Sequence, residues 1–128
     1  MRKYLAVLVM LLAACQAEII HLAETDNGKE IKAHAGQEIS VSLPGNITTG
    51  YNWQFMAEEN SDGVYKEIEN QYRADDVPQG MVGSGGVSIY RMKLLKPGKV
   101  KLTARYYRPW QKFNPETDKS IEIFITVE

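Results

Sequence analysis

The 128-residue chain has one cysteine and two histidines. A lone Cys15 excludes an intramolecular disulfide and a cysteine-ligated zinc site, and His21 and His34 leave little for a His-rich metal cluster. No metal or organic cofactor is therefore expected. Neither sign of charge dominates, since 15 Lys+Arg face 16 Asp+Glu for a net of −1. There is no basic footprint for nucleic acid and no charge run that marks a disordered tail. Ten Gly and five Pro are ordinary usage, which excludes collagen-like and low-complexity chains. No apolar stretch approaches the roughly 20 residues that a spanning helix needs. What is present is 44% hydrophobic residues with twelve aromatics, enough for one modest core in a single domain.

Positions 1–18 read as processing signals rather than fold. Arg2 and Lys3 precede an apolar run from Leu5 to Leu12, then Ala13-Ala14-Cys15-Gln16. A positive start, a short apolar stretch and small residues at the cut describe an export signal. Leu12-Ala13-Ala14-Cys15 also resembles the lipobox of bacterial lipoproteins, in which the cysteine is acylated and becomes the new N-terminus. The competing reading is an ordinary cut near Ala17. The lipobox is preferred because the chain's one cysteine falls where that box requires it. The expected organisation is a signal peptide at 1–14, a lipidated Cys15 with a short spacer at 15–18, and one domain at 19–128. Gln16 after the cysteine resembles the version sorted to an outer membrane.

Apolar–polar alternation dominates the rest. Ile39, Val41 and Leu43 alternate with Glu38, Ser40 and Ser42, a period of two that suits a half-buried strand. The same pattern covers Tyr51–Phe55, Val100–Tyr107 and Ile121–Val127, and 87–95 is rich in β-formers. Val64–Tyr72 is ambiguous between strand and helix, and its shortness and two tyrosines favour a strand with a possible helical turn. Pro44-Gly45 and 96–99 read as turns. Asn27-Gly28, between 19–24 and 30–33, predicts a hairpin. Seven or eight short strands without a long helix predict an all-β sandwich.

Three loops stand out. Asn46, Ile47, Thr48, Thr49, Gly50 and Tyr51 place two hydroxyls and a permissive glycine between two strands. Gly83, Ser84, Gly85 and Gly86 close a glycine-rich run that exposes bare backbone. That run is no phosphate loop, because neither a Lys-Ser/Thr pair nor a helix follows it. Arg108, Pro109 and Trp110 end a strand with a stiff exit and a large amphipathic anchor. Each alone has an ordinary explanation: a hairpin turn, a flexible connector, a core tryptophan beside an edge proline.

Together and in this order, the three resemble the chagasin-type inhibitors of papain-like cysteine peptidases, whose motifs run near Asn-Pro-Thr-Thr-Gly-Tyr/Phe, Gly-x-Gly-Gly and Arg-Pro-Trp/Phe. The resemblance covers roughly 25–128, and Ile47 departs from it where the family usually has proline. It implies an immunoglobulin-like β-sandwich whose three loops gather at one end as a wedge. Asn46–Tyr51 would sit over the peptidase's catalytic Cys and His, the glycine loop along the non-primed side, and Trp110 on the primed side. Arg108 would bond at the rim or brace its own loop. The implied partner is a papain-like cysteine peptidase, bound by a monomer that a lipid on Cys15 holds at a membrane.

Catalysis by the chain itself is not expected. His21 and His34 have no evident nucleophile partner, and the neighbouring acids Glu58-Glu59 and Asp75-Asp76 would point to opposite faces of a strand. Two other functions remain open at this level. One is a surface lipoprotein adhesin or carbohydrate-binding module that stacks sugars on Tyr51, Tyr106, Tyr107 and Trp110. The other is an envelope scaffold whose loops tolerate substitution.

Overall fold

The computed structural model describes residues 18–74 and 85–128. Cys15, Gly83, Ser84 and the Asp75-Asp76 pair lie outside the described residues.

Eight strands are found among the described residues: β1 (Ile19–Leu22), β2 (Glu30–Ala33), β3 (Glu38–Gly45), β4 (Asn52–Glu59), β5 (Tyr65–Ala74), β6 (Gly86–Leu94), β7 (Gly98–Tyr107) and β8 (Lys119–Val127). They form two four-stranded sheets, ordered β1-β3-β6-β5 and β2-β8-β7-β4. The architecture is the all-β sandwich that the alternation predicts, of the immunoglobulin-like kind that the family resemblance implies. Each long strand sends one side-chain set inward. Ile39, Val41 and Leu43 of β3 meet Tyr90, Met92 and Leu94 of β6 beside them, over Val100, Leu102, Ile123 and Ile125 of the facing sheet. All ten are buried. Phe55 of one sheet stacks on Tyr90 of the other with ring centroids 5.0 Å apart.

The expected hairpin at Asn27-Gly28 does not form. β1 and β2 part into different sheets, where each pairs in parallel, β1 with β3 and β2 with β8. A 3-10 turn at Glu24–Asp26 swings the chain across, and Asn27 is not in the left-handed conformation a tight hairpin turn requires. Its side chain instead accepts from Glu122 N of β8 at 2.9 Å, while Gly28 N donates to Glu122 O at 2.7 Å.

Pro44-Gly45 also differs from expectation, because β3 continues through both residues and pairs them with Val87 and Gly86. β1 ends opposite Val41, so β3 is an edge on that side beyond it and tolerates a proline. Val64–Tyr72 resolves as strand β5, whose helix-like spacing is a bulge: the register against β6 shifts between Glu67 and Glu69 and leaves Ile68 exposed.

Strand directions fix where the loops go. β3, β5 and β7 end at one pole of the sandwich, where β4, β6 and β8 begin. Connections 46–51 and 108–118 therefore share that pole with the end of β5 at Ala74 and the start of β6 at Gly86. β1 runs parallel to β3, so the chain enters the domain at the opposite pole.

Candidate functional site

The loop pole is built outward from a buried aromatic stack. Trp53 is buried and donates Nε1–H to Pro44 O at 3.0 Å, tying β4 of one sheet to β3 of the other. Tyr106 lies against Trp53 with centroids 4.9 Å apart and against Tyr51 at 5.4 Å. Its hydroxyl accepts from Asn46 N at 3.1 Å, so the end of β7 carries the start of the first loop. Gly45 lets the ring approach closely, since a Cβ there would fall 3.1 Å from the Tyr106 ring and the ring would have to give by a few tenths of an ångström.

The first loop folds on its own polar side chains. Asn46 caps a 3-10 turn over Ile47–Thr49, and its side chain accepts from Thr48 N at 3.1 Å and from the Thr48 hydroxyl. The Thr49 hydroxyl donates to Asn46 O at 2.7 Å and accepts from Tyr51 N at 3.4 Å. Both threonine hydroxyls thus spend their protons inside the loop and keep lone pairs for a partner. Gly50 closes the turn at φ 85°, a left-handed conformation that favours glycine. Ile47 projects into solvent.

The third loop clamps the first. Arg108 Nε donates to Thr49 O at 3.1 Å, and its guanidinium lies 4.8 Å from the Tyr51 ring centroid, a cation–π contact. Arg108 thus braces the neighbouring loop rather than its own. Pro109 carries the chain over to Trp110, whose ring lies across Gly50: a Cβ there would sit 2.5 Å from Trp110 Cη2. Trp110 nevertheless keeps 71% of its surface exposed. The returning limb is held by Phe113, under the Arg105 guanidinium at 4.7 Å and edge-on to Tyr107 at 5.4 Å.

The second loop is represented by its exit. Gly85 is half-buried, and Gly86 pairs with Gly45 on one side and Ala74 on the other. A Cβ on Gly86 would collide with Arg73 O and the Tyr72 ring. Ser88 Oγ reaches Asn52 Oδ1 at 3.4 Å, which links the strand leaving the second loop to the strand leaving the first. Asn46–Tyr51, Gly85-Gly86 and Arg108–Trp110 thus converge on one pole, while His21 and His34 are exposed elsewhere. Among the described residues no group of three or more His, Cys, Asp or Glu side chains could hold a metal.

Sequence reasoning missed the supports. Arg105 and Phe113 carry no motif, Gly45 reads only as half of a Pro-Gly turn, and Tyr106 only as part of an alternating strand or a sugar platform. The one available signal was position, since Tyr106 lies on the inward-facing register of its strand, opposite Trp53.

Residues 32–125 match the family described as "Chagasin family peptidase inhibitor I42". The chain is 32% identical over 89 residues to Amoebiasin-1 of Entamoeba histolytica, across 70% of this chain and 82% of that protein. It is 26% identical over 91 residues to Chagasin of Trypanosoma cruzi, across 70% and 81%. Among solved structures, the cysteine protease inhibitor EhICP2 from Entamoeba histolytica superposes with a TM-score of 0.74 at 23% identity, covering 88% of this chain and 98% of that one. PbICP-C, solved in complex with falcipain-2, superposes with a TM-score of 0.52 at 21% identity, over 88% and 92%. These two likenesses concern the fold. On the family match and the Amoebiasin-1 relationship, the chain belongs to the chagasin family of peptidase inhibitors.

Proposed function

We propose that this chain is a reversible, tight-binding inhibitor of papain-like cysteine peptidases that occludes the active-site cleft with its three loops. The observation that carries the reading is the Arg108–Trp110 clamp on Thr49 and Gly50, which makes two loops one preformed wedge with an exposed tryptophan at its tip. The family supplies peptidase inhibition. The names of two fold neighbours, a cysteine protease inhibitor and a partner of falcipain-2, point to the peptidase class.

The chemistry follows from the loop's internal bonding. With their protons turned inward, Thr48 and Thr49 offer acceptor oxygens to the imidazolium of a Cys–His pair. Thr49 O is held by Arg108 and Asn46 O by Thr49, so the backbone cannot relax into a cleavable pose. Gly85 and Gly86, with Gly83 and Ser84 before them, let main-chain groups reach the wall of the cleft in strand-like recognition. Trp110 packs on an apolar surface of the primed side, stiffened by Pro109. Ile47 occupies the first position of the 3-10 turn, where the family's proline would fit. Preorganisation lowers the ordering cost of association, and a standard interface of about 1,600 Å² is within reach of three such loops.

The domain acts as a monomer, exported and lipid-anchored through Cys15 to a bacterial envelope membrane, the outer one. That reading is supported by Arg2, Lys3, the 5–12 apolar run and Leu12–Cys15. The adhesin alternative is weakened, because Tyr51, Tyr106 and Tyr107 are half-buried against other aromatic rings, which leaves Trp110 as the exposed member of that set.

Titration of papain and a cathepsin against the chain, with trypsin as control, tests the function. Stoichiometric, competitive loss of cysteine-peptidase activity with trypsin untouched is expected. Full papain activity in a molar excess of folded inhibitor would overturn it.

A further inference from the structure

The limb of the third loop that returns to β8 has a single foot on the sandwich. From 109 to 117 every residue is exposed except Phe113, which is half-buried. Hydrogen bonds do not hold this limb down. Gln111 N donates to Arg108 O at 2.9 Å, and Asn114 N to a carboxylate oxygen of Asp118 at 2.8 Å. Glu116 N donates to Asn114 Oδ1 at 3.0 Å, and Thr117 N and Asp118 N both donate to Asn114 O. All of these close within 108–118, so they stiffen the limb at its two ends without fastening it to a strand. Phe113 instead rests on two residues of β7. Tyr107 meets its ring edge-on at 5.4 Å, and the Arg105 guanidinium lies 4.7 Å from its centroid. Polar partners do not explain the pose of Arg105. Its cross-strand neighbours are Gln54 of β4 and Ser120 of β8, neither of them acidic. Among the described residues it takes part in none of the ion pairs, and its buried Nε has no hydrogen-bond partner. Burying an unpaired guanidinium nitrogen costs free energy, and the Phe113 ring is what the cation meets in return.

We infer that Phe113, gripped by Arg105, is the positioning residue of the third loop: it fixes where Trp110 stands, and a peptidase registers its loss through Trp110. The inference rests on the proposed inhibitory function and adds to it a pair of residues outside the three motifs. Trp110 stands three positions before Phe113, at most about 11 Å of extended chain at roughly 3.5 Å per residue. With 71% of its surface exposed, the indole has little packing of its own to hold it. It is fixed from one side by Arg108, whose Nε bonds Thr49 O, and from the other by the Phe113 foot. With both limbs pinned, Trp110 is presented to the cleft in one place and loses little freedom on binding. Without the foot, the limb is free to swing as one piece, and its ordering cost is added to association.

The test titrates papain with the full chain and reads the inhibition constant beside a thermal melt. Arg105→Gln and Phe113→Leu should each raise the constant about 5-fold while the chain stays folded. Phe113→Tyr keeps the ring and should recover most of that loss. The same substitutions are then made in the Trp110→Ala chain. There each should change the constant less than about twofold, because the residue through which they act is gone. Undiminished inhibition by folded Arg105→Gln and Phe113→Leu overturns the inference. An equal loss in both backgrounds also overturns it, since Arg105 or Phe113 would then touch the peptidase directly. Should Phe113→Leu not fold, Arg105→Gln carries the comparison alone. Failure of the unsubstituted chain to inhibit papain removes the inhibitory function and this inference with it. Inhibition by the unsubstituted chain that neither substitution weakens removes the positioning role alone.

Discussion

Gly50 and Trp110 show how one residue's backbone can set another's side chain. Gly50 needs its left-handed φ of 85°, and its missing Cβ leaves room for the indole. Gly50→Ala should therefore cost about 1–2 kcal/mol of stability from backbone strain and also displace Trp110 and weaken inhibition. Gly28→Ala is the control: its φ of 82° imposes the same strain, but nothing lies within 4 Å of the added methyl. Urea unfolding should show both variants destabilised, and papain titration should show only the first impaired. Trp110→Ala gives the opposite signature. Its exposure predicts near-wild-type stability, while loss of an interface anchor should raise the inhibition constant about 30-fold, roughly 2 kcal/mol. These residues were legible because glycine, proline and tryptophan at loop positions are costly to place without a reason. Tyr106 was not, because a tyrosine on an alternating strand looks like any other core residue.

Elements are held together here by side chains whose partners lie far along the chain. Arg108 joins two loops 59 positions apart. Arg108→Lys loses the Nε donor and the planar contact with Tyr51, and should weaken inhibition about 5-fold, roughly 1 kcal/mol, with little change in melting temperature. Paired inhibition and thermal-melt measurements check this. On the outer face of the other sheet, Arg91 of β6 bonds Glu38 of β3 at 2.7 Å and Glu69 of β5 at 3.0 Å, and Arg73 adds a second bond to Glu69. The hydrogen bond from Arg91 is the chief cause that holds the Glu69 carboxyl below its ordinary value near 4.5. A carboxyl so lowered binds fewer protons folded than unfolded. Its contribution is complete above about pH 4.5 and is lost as pH falls through the lowered value. Melting curves at pH 7 and pH 3 should show wild type losing more stability on acidification than Glu69→Gln, and equal losses would contradict the assignment. The strands themselves were legible from their period of two. The separation of β1 from β2 was not, because Asn27 looks like local turn chemistry and actually bonds Glu122 across 95 positions. The bulge at Ile68 was hidden for a related reason, since one inserted residue makes a strand look like a helix face.

At the scale of the molecule, a two-sheet sandwich divides its connections between two poles. Gly45 beside Gly86, and Asn52 beside Tyr107, bring together three loops that the sequence spreads over more than 60 positions. No composition or spacing states that convergence; it follows from strand order, which for β folds is set by long-range pairing. The motifs named the loops, and the topology supplies their shared pole. The most direct test of the account is alkylation of papain's catalytic cysteine by iodoacetamide with and without one equivalent of this chain. A wedge seated over that cysteine should slow the reaction at least 100-fold, and protection should weaken in Trp110→Ala. Alkylation at the free-enzyme rate, with papain still bound to the inhibitor, would show that the three loops do not fill the groove.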